Sequence, residues 1–277
     1  MKKFGKIIVN ILFYLFCILL CIIFLFPFIV MLAGSLDAEV KYVVTIDTWF
    51  PESFSVRNYT VLLSVGSSLV RWLLNSVIIS VVPTVTGVFL DAVLGYIFAK
   101  KKFRGHNFIF WYFMIAIMIP YQATIVSSYL LYTKLGWINT YTVFIVPGLW
   151  TVMYMFMMRQ YIMTIPNALL DAATIDGAGE WRIFIQIVLP VCAPALSSVA
   201  IFTFMNSWNN FMAPLLFTTS ESMYNLIVGL SVLNQPPNTT FGMQMTAGVI
   251  TFIPMFVVYM SFQKYFVDGI TVGSVKG

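Results

Sequence analysis

Six long apolar segments, separated by polar stretches, organise the chain. The hydrocarbon core of a bilayer is about 30 Å thick, and a helix needs about 20 apolar residues to cross it. The apolar residues run continuously rather than alternating, which favours helices over a transmembrane β-barrel. The pattern therefore predicts an all-α membrane protein with six transmembrane helices. These helices are expected at about residues 7–32, 72–99, 108–132, 142–163, 191–217 and 241–266.

The amino-acid composition excludes soluble and disordered proteins. Of the 277 residues, 60% are hydrophobic and 9% are charged, whereas soluble domains have about 45–50% apolar and about 25% charged residues. A soluble fold needs charged side chains to cover its surface. A disordered chain needs low hydrophobicity and a high net charge. An integral membrane protein is the class that remains.

The basic residues predict how the helices are oriented. With the N-terminus inside, most of the 15 Lys and Arg residues fall on one side, including the cluster at residues 100–104. Cytoplasmic loops carry the excess of Lys and Arg, so both termini are expected in the cytoplasm. Lysines also precede the first apolar segment, as in a signal peptide, but that segment is too long for one. It is therefore interpreted as an uncleaved first helix.

The segment 164–190, between the fourth and fifth predicted helices, is too long for a simple turn. Asn167 is placed to cap a first short helix. Gly177 and Gly179 interrupt the helical pattern or allow another backbone to approach, and Pro190 is expected to end the segment. An apolar stripe at helical spacing predicts a second helix, and it is formed by Trp181, Phe184, Ile185 and Val188.

Two interpretations of this segment differ in what the helices contact. One is an amphipathic helix pair lying under the lipid headgroups, which usually carries Lys and Arg on its polar face. The polar residues here are Asp171, Asp176 and Glu180 against Arg182 alone. An acidic face beside a glycine turn suits anionic lipid poorly, so docking in the groove of a protein is favoured.

The same residues carry a specific resemblance. The order Asp171-Ala172-Ala173-x-x-Asp176-Gly177-Ala178, followed by Phe184 and Leu189-Pro190, resembles the EAA signature of ABC importer permeases. Asp171 stands where that family usually has Glu, which keeps the charge and shortens the side chain. In the family this segment is the coupling helix, which sits in a cleft of the ATP-binding subunit. The resemblance assigns ATPase coupling to Asp171, Ala172, Ala173, Asp176, Gly177, Ala178, Gly179, Phe184 and Pro190.

Further segments extend the resemblance to residues 58–277. They are similar to the carbohydrate-uptake branch of these permeases, and the tail is similar to that of the maltose-type second permease. The resemblance implies a single transmembrane permease domain over residues 1–277, with a coupling loop at 164–190 and a cytoplasmic tail at 268–277. The other matching segments are residues 95–105, 118–122, 135–141 and 207–215.

The sequence lacks the residues of an enzyme. It contains no Gly-x-x-x-x-Gly-Lys-Ser/Thr phosphate-binding loop and one histidine, His106, so neither a catalytic constellation nor a metal site is expected. No cofactor is expected in this chain. If ATP drives the protein, a separate subunit must hold the ATP and Mg²⁺.

Asp91 is a charged residue inside the second predicted helix. Intramembrane carboxylates are costly, and two roles account for one at this position. Asp91 lines a proton pathway, which would favour an ion-coupled secondary transporter, or it pairs with a neighbouring helix or with the basic cluster. The lack of an intramembrane Lys, Arg or His partner favours the second, structural role.

The fifth predicted helix has a polar end that suggests a substrate path. Asparagines are tolerated in lipid when they face a partner helix or a water-filled path, and amides beside aromatic rings suit the hydroxyls and apolar faces of sugars. Trp208 can alternatively be an anchor at the membrane interface. The residues of this possible substrate path are Asn206, Trp208, Asn209 and Asn210.

The sequence as a whole predicts the permease subunit of an ATP-driven importer for sugars or oligosaccharides, forming half of the translocation pathway. The alternative is an ion-coupled secondary transporter. The resemblance implies a location in a bacterial inner membrane. It also implies three kinds of partner: a second homologous permease, two copies of an ATP-binding subunit and an extracellular solute-binding protein. The outer loop at residues 218–240 either contacts the binding protein or caps the helix ends.

Overall fold

The computed structural model describes residues 2–39, 41, 49–64, 67–234 and 240–272. These residues form helices joined by turns, and none of them lies in a β-strand, so the predicted all-α class is confirmed. The helices are α1 (Lys2–Ser35), α2 (Arg57–Leu63), α3 (Ser67–Lys100), α4 (His106–Ala116), α5 (Tyr121–Lys134), α6 (Thr142–Ile145), α7 (Val152–Met163), α8 (Asn167–Ile175), α9 (Glu180–Ile183), a π-helical turn (Phe184–Val188), α10 (Leu189–Val191), α11 (Ala193–Trp208), α12 (Met212–Phe217), a 3-10 turn (Glu221–Met223), α13 (Leu226–Leu233) and α14 (Phe241–Val272).

Among the described residues, three helical stretches are long and apolar enough to cross a bilayer unaided. They are Lys6–Ser35, Ser68–Lys100 and Phe241–Gln263. Two helix pairs qualify when each is counted as one bent crossing: α4 with α5, bent by 98°, and α9–α10 with α11, bent by 79°. This part of the chain therefore has three to five candidate crossings, which is the arrangement of a multi-pass membrane protein.

Three of the predicted helices are broken. The third breaks at Pro120, which has no N–H to donate and adopts the extended conformation ahead of α5. The fourth is interrupted at residues 146–151, between α6 and α7, and the fifth at Asn209, between α11 and α12. The prediction of one continuous helix per apolar segment is corrected at these places to two helices.

The chain forms two compact units. The first contains Met1–Leu69 and Leu230–Ile253, and the second contains Val70–Gly229 and Pro254–Gly277.

In the first unit, polar contacts hold the end of α1. The Asn58 amide donates to the backbone carbonyls of Asp37 and Ser35, at 2.9 and 3.3 Å. The Thr246 hydroxyl also donates to the carbonyl of Ser35, at 3.2 Å. The two bonds to Ser35 satisfy a carbonyl group that the end of α1 leaves without a helical partner.

In the second unit, α3 and α7 approach closely at Gly95. A Cβ atom on Gly95 would lie 2.7 Å from Met158 Cβ and 2.9 Å from the backbone nitrogen of Arg159. Small residues at such points let membrane helices pack backbone to backbone. Arg159 continues the contact, since its Nε donates to the carbonyl of Phe98 at 3.0 Å.

We predict that Gly95→Leu destabilises the protein, because the added side chain must push the α7 backbone away. Overpacking of this kind costs about 1–3 kcal/mol, and the apparent Tm of the purified protein in detergent should fall by several degrees. The matched control is Val85→Leu, which enlarges an exposed side chain of the same helix. An equal Tm for both variants would contradict the close approach of α3 and α7.

Candidate functional site

The segment 164–190 folds as two short helices joined by a glycine turn, and local rules explain the turn. Gly177 has φ of +81°, a left-handed conformation that favours glycine. The N–H of Gly177 donates to the carbonyl of Thr174 at 3.0 Å, and the N–H of Ala178 donates to that of Ala173 at 2.9 Å. This pair of bonds is the Schellman motif, which ends α8 at a defined residue.

The two helices pack on a buried core from the second unit. Leu170 of α8, Ile183 of α9 and Phe184 of the π-helical turn pack with side chains from α3 and α7. Phe184 is almost wholly buried, and its ring centroid lies 5.4 Å from that of Tyr96. The apolar contacts therefore join the segment to α3 and α7. The buried residues of this core are Ala92, Tyr96, Met158, Ile162, Ile165, Leu170, Ile183, Phe184, Val188, Cys192 and Val199.

Two lysines at the end of α3 add polar contacts to this packing. Lys100 Nζ donates to the carbonyl of Ile165 at 2.6 Å and to Asn167 Oδ1 at 2.9 Å. Lys101 Nζ pairs with Glu180 Oε1 at 2.5 Å. Desolvation by burial lowers the pKa of Lys101, but its hydrogen bonds and charge interactions with Glu180 and Tyr96 together raise the pKa by more, so the net shift is upward.

Glu180 is also held by a tyrosine of α3. The Tyr96 hydroxyl donates to Glu180 Oε2 at 3.0 Å, so one oxygen of this carboxylate has a partner on α3 and the other has a partner directly after it. The start of α9 is thus fixed to the C-terminal end of α3.

One face of α8 points away from the protein, and we call it the exposed α8 face. Ile175 at the end of the helix is 86% exposed, and Leu169 is also exposed. Asp171, Ala172 and Asp176 lie on the same exposed surface. Exposed apolar side chains beside polar groups mark surfaces that contact a protein or a membrane.

The remaining residues of the coupling signature occupy distinct positions. Ala173 and Ala178 pack against the buried core, whereas Gly177, Gly179 and Pro190 are exposed. The signature therefore combines residues that hold the segment in place with residues on its surface.

Three details of the predicted segment are corrected. Asn167 makes no capping bond, because α8 begins after Pro166 and the Asn167 side chain accepts from Lys100 instead. Ile183 is buried, while Trp181 and Ile185 of the predicted stripe are exposed. Trp181 lies two residues before Ile183 and so on nearly the opposite side of α9, and the π-helical turn changes the residue spacing after Ile183. Helical structure continues through Pro190 and bends at Cys192.

A second candidate site is a cavity of about 540 Å³ within the second unit, which we call the polar cavity. All three broken segments contribute to its wall. Tyr121 and Gln122 follow the break at Pro120, Thr151 closes the break before α7, and Asn206 and Asn210 flank the break after α11. A neighbouring cavity of about 580 Å³ shares four of these five residues.

The four residues of the predicted substrate path are placed differently. Asn206 and Asn210 line the polar cavity, and Asn209 lines the neighbouring one. Trp208 lines neither cavity. It is 2% exposed, and its ring stacks on Phe204 with centroids 5.6 Å apart, so it packs inside the unit.

Asp91 lies behind the wall of the polar cavity. It is 1% exposed, and its Oδ1 accepts the backbone N–H of Thr151 at 2.9 Å. It therefore satisfies a backbone donor at the interruption between α6 and α7. Thr151 directly precedes α7. The contact therefore agrees with the structural role considered for Asp91, in which its side chain pairs with a neighbouring helix.

The outer loop packs onto the N-terminal part of α3. The Asn75 amide donates to the carbonyls of Ser222 and Tyr224, at 2.9 and 2.7 Å. Trp72 Nε1 donates to the carbonyl of Glu221 at 2.9 Å. These contacts are those of a cap on the helix end. Residues 235–239 of the loop lie outside the described residues.

The predicted cytoplasmic tail is described only in part. Backbone structure is described to Val272, where α14 ends. Residues 273–277 lie outside the described residues. In the part of the chain that is described, no group of three or more His, Cys, Asp or Glu side chains is arranged to hold a metal ion.

Sequence reasoning missed the cavity residues on the third and fourth segments, Tyr121, Gln122, Thr151 and Tyr154. Pro120 was the available signal for the first break. The sequence marks Lys100 and Lys101 as orientation signals but does not predict their contacts with the segment 164–190.

The family of the chain follows from sequence comparison. A family model described as the inner membrane component of binding-protein-dependent transport systems matches residues 91–272. The chain belongs to this family. It is a permease subunit of an ATP-driven importer rather than an enzyme.

Two relatives match over almost their whole length. The arabinooligosaccharides transport system permease protein AraQ of Bacillus subtilis (strain 168) is 35% identical over 268 residues, covering 95% of this chain and 94% of the relative. The trehalose/maltose transport system permease protein MalG of Thermococcus litoralis is 32% identical over 276 residues, covering 98% and 99%.

A solved structure shows the same fold. It is a chain of a bacterial ABC transporter involved in the import of the acidic polysaccharide alginate, with a TM-score of 0.83 and 19% identity. The match covers 95% of this chain and 98% of the other. At this identity the likeness concerns the fold.

We predict that Gly177→Ala weakens the turn after α8, whereas Gly179→Ala does not. Neither Cβ would meet any atom within 4 Å, so the variants differ only in backbone conformation. Alanine at a left-handed position costs about 1–2 kcal/mol, while Gly179 has φ of −72°, which alanine adopts freely. Amide hydrogen exchange at positions 177 and 178 should become about 5- to 30-fold faster in the Gly177→Ala variant. The Gly179→Ala variant should exchange at these positions as the unmodified protein does. Equal exchange in the two variants would contradict the assigned turn.

Proposed function

We propose that the chain is one of two homologous permease subunits of a sugar importer in a bacterial inner membrane, with two ATP-binding subunits and an extracellular solute-binding protein as partners. The similarity to AraQ and MalG, permeases named for arabinooligosaccharide and trehalose/maltose transport, supports a saccharide substrate. The lack of a phosphate-binding loop in this sequence supports a separate ATPase.

The proposed topology has six spans with both termini in the cytoplasm. Three long helices and two bent pairs supply five spans, and α6 with α7 supplies the sixth. Lys100 and Lys101 contact the segment 164–190 directly. Since basic residues concentrate on the cytoplasmic side, these contacts support a cytoplasmic position for the segment.

The observation that carries the proposal is the exposed α8 face, which we assign as the docking site of the ATP-binding subunit. It presents Ile175 between Asp171 and Asp176 while the opposite face is held by a buried core. An apolar anchor surrounded by polar groups is the usual arrangement of an interface hot spot. The surrounding turn is fixed by its own hydrogen bonds, so little order must be gained on docking.

The proposed mechanism uses the segment as a lever. Closure of the ATPases on ATP moves α8 and α9, and the contacts of Phe184, Glu180 and Asn167 transmit the movement to α3 and α7. The spans then shift between outward- and inward-facing states, a two-state change biased by the nucleotide. Asn206, Asn209 and Asn210 belong to the proposed substrate path.

Copurification tests the proposed assembly. We expect the tagged chain, extracted from its native membrane in mild detergent, to bring along an ATP-binding subunit, a second permease and a solute-binding protein, identified by mass spectrometry. Recovery of the chain alone, or as a homodimer without an ATPase, would overturn the proposal.

We predict that Ile175→Arg reduces recovery of the ATP-binding subunit at least tenfold, because loss of a central apolar anchor costs about 2 kcal/mol or more. Ile175 is 86% exposed, so the permease itself should keep its Tm. Thr164→Arg adds the same charge at an exposed position of the same segment and should bind the ATPase normally. Normal ATPase binding by Ile175→Arg would show that docking occurs elsewhere.

A further inference from the structure

The polar cavity is built where three membrane helices lose their regular hydrogen bonding. Irregular backbone at membrane depth is tolerated where it is buried in protein or lines a water-filled cavity. The breaks at Pro120, at residues 146–151 and at Asn209 all border this one space. Discontinuous spans of this kind form binding sites in transporters, so the cavity has the architecture of a ligand site.

The cavity offers amide groups without partners. Within the part of the chain that the structure describes, the side chains of Gln122 and Asn206 form no hydrogen bond. Each amide has both a donor and an acceptor, which matches the hydroxyl groups of a sugar. Tyr121, Tyr132 and Tyr154 add aromatic rings to the same wall, against which the apolar face of a sugar ring can stack.

The wall provides no positive charge. None of the described residues lining the polar cavity or its neighbour is Lys, Arg, Asp or Glu. The ionisable group directly behind the wall is Asp91, which holds Thr151 and can be negative or neutral but never positive. An anion entering this space would lose hydration without gaining a counter-charge, which is strongly unfavourable.

We propose that the polar cavity binds neutral saccharide units on the translocation path and excludes sugar phosphates and uronates. The inference rests on the proposed import function and assigns its substrate class. It also separates this chain from the alginate importer that shares its fold, whose cargo is acidic. The volume of about 540 Å³ falls within the usual range for small-molecule sites, about 300–1,000 Å³.

The substrate class is tested with the purified complete transporter in proteoliposomes. The neutral probes are radiolabelled arabinotriose, trehalose and maltose, and the anionic probes are glycerol-3-phosphate and a mannuronate disaccharide. We expect ATP-dependent uptake of at least one neutral probe and none of the anionic probes. Uptake of an anionic probe, or of none of the neutral ones, overturns the proposal.

Cavity variants test the site itself. Gln122→Leu and Asn206→Leu should each lower uptake of the carried probe about tenfold at a fixed concentration of loaded binding protein, equivalent to about 1.4 kcal/mol. Their Tm should not change, because these amides bind nothing else among the described residues. Gln160→Leu, at an exposed position of α7 outside the cavity, is the matched control and should transport normally.

The outcomes separate this inference from the proposed function. Unchanged uptake by both cavity variants would place the sugar elsewhere, although the importer would still be ATP-driven. Failure of the ATP-binding subunit to copurify would instead remove the proposed function as a whole.

Discussion

The constraint on which the structure depends is that backbone polar groups inside a membrane must find partners within the protein. A continuous helix meets this constraint through its own backbone hydrogen bonds. This chain interrupts three helices, and side chains bond to backbone groups at the interruptions. Asp91 accepts the N–H of Thr151. Asn210 Oδ1 accepts the N–H of Ala213, and the amide of Asn225 donates to the carbonyl of Asn210. The polar residues that permit the breaks therefore stand at the edge of the cavity that the breaks create.

This constraint also explains what the sequence could predict. Hydrophobic periodicity and length depend on local residues, so the helical class and the two short helices of segment 164–190 were predictable. The breaks at residues 146–151 and 209 were not, because their stabilising partners lie far away along the chain, as Asp91 does from Thr151. Asn167 shows the same limit. Its position suggested a helix cap. In the folded chain, however, its side chain accepts a hydrogen bond from Lys100, which is distant in the sequence.

The two candidate sites share the same helices. Met158 and Ile162 of α7 belong to the core beneath the segment 164–190. At the other end of α7, Tyr154 and the preceding residue Thr151 line the polar cavity. A helix of 12 residues is about 18 Å long and moves as a unit. On α3, Tyr96 contacts Glu180 of the segment 164–190, and Asp91 contacts Thr151 of the cavity wall. Movement of the segment therefore has a continuous physical route to the cavity through two helices.

The two sites differ in how tightly their residues are bound to the fold. The segment 164–190 is held by a backbone turn at Gly177, a buried ring at Phe184 and the bonds of Glu180, so changes to these three residues disturb the structure. Gln122 and Asn206 line the cavity without hydrogen bonds to other described residues. Their replacement alters the cavity wall and leaves the backbone bonds intact. Under the proposed function, selectivity can thus change by side-chain substitution in the cavity alone, while the proposed docking surface on α8 stays the same.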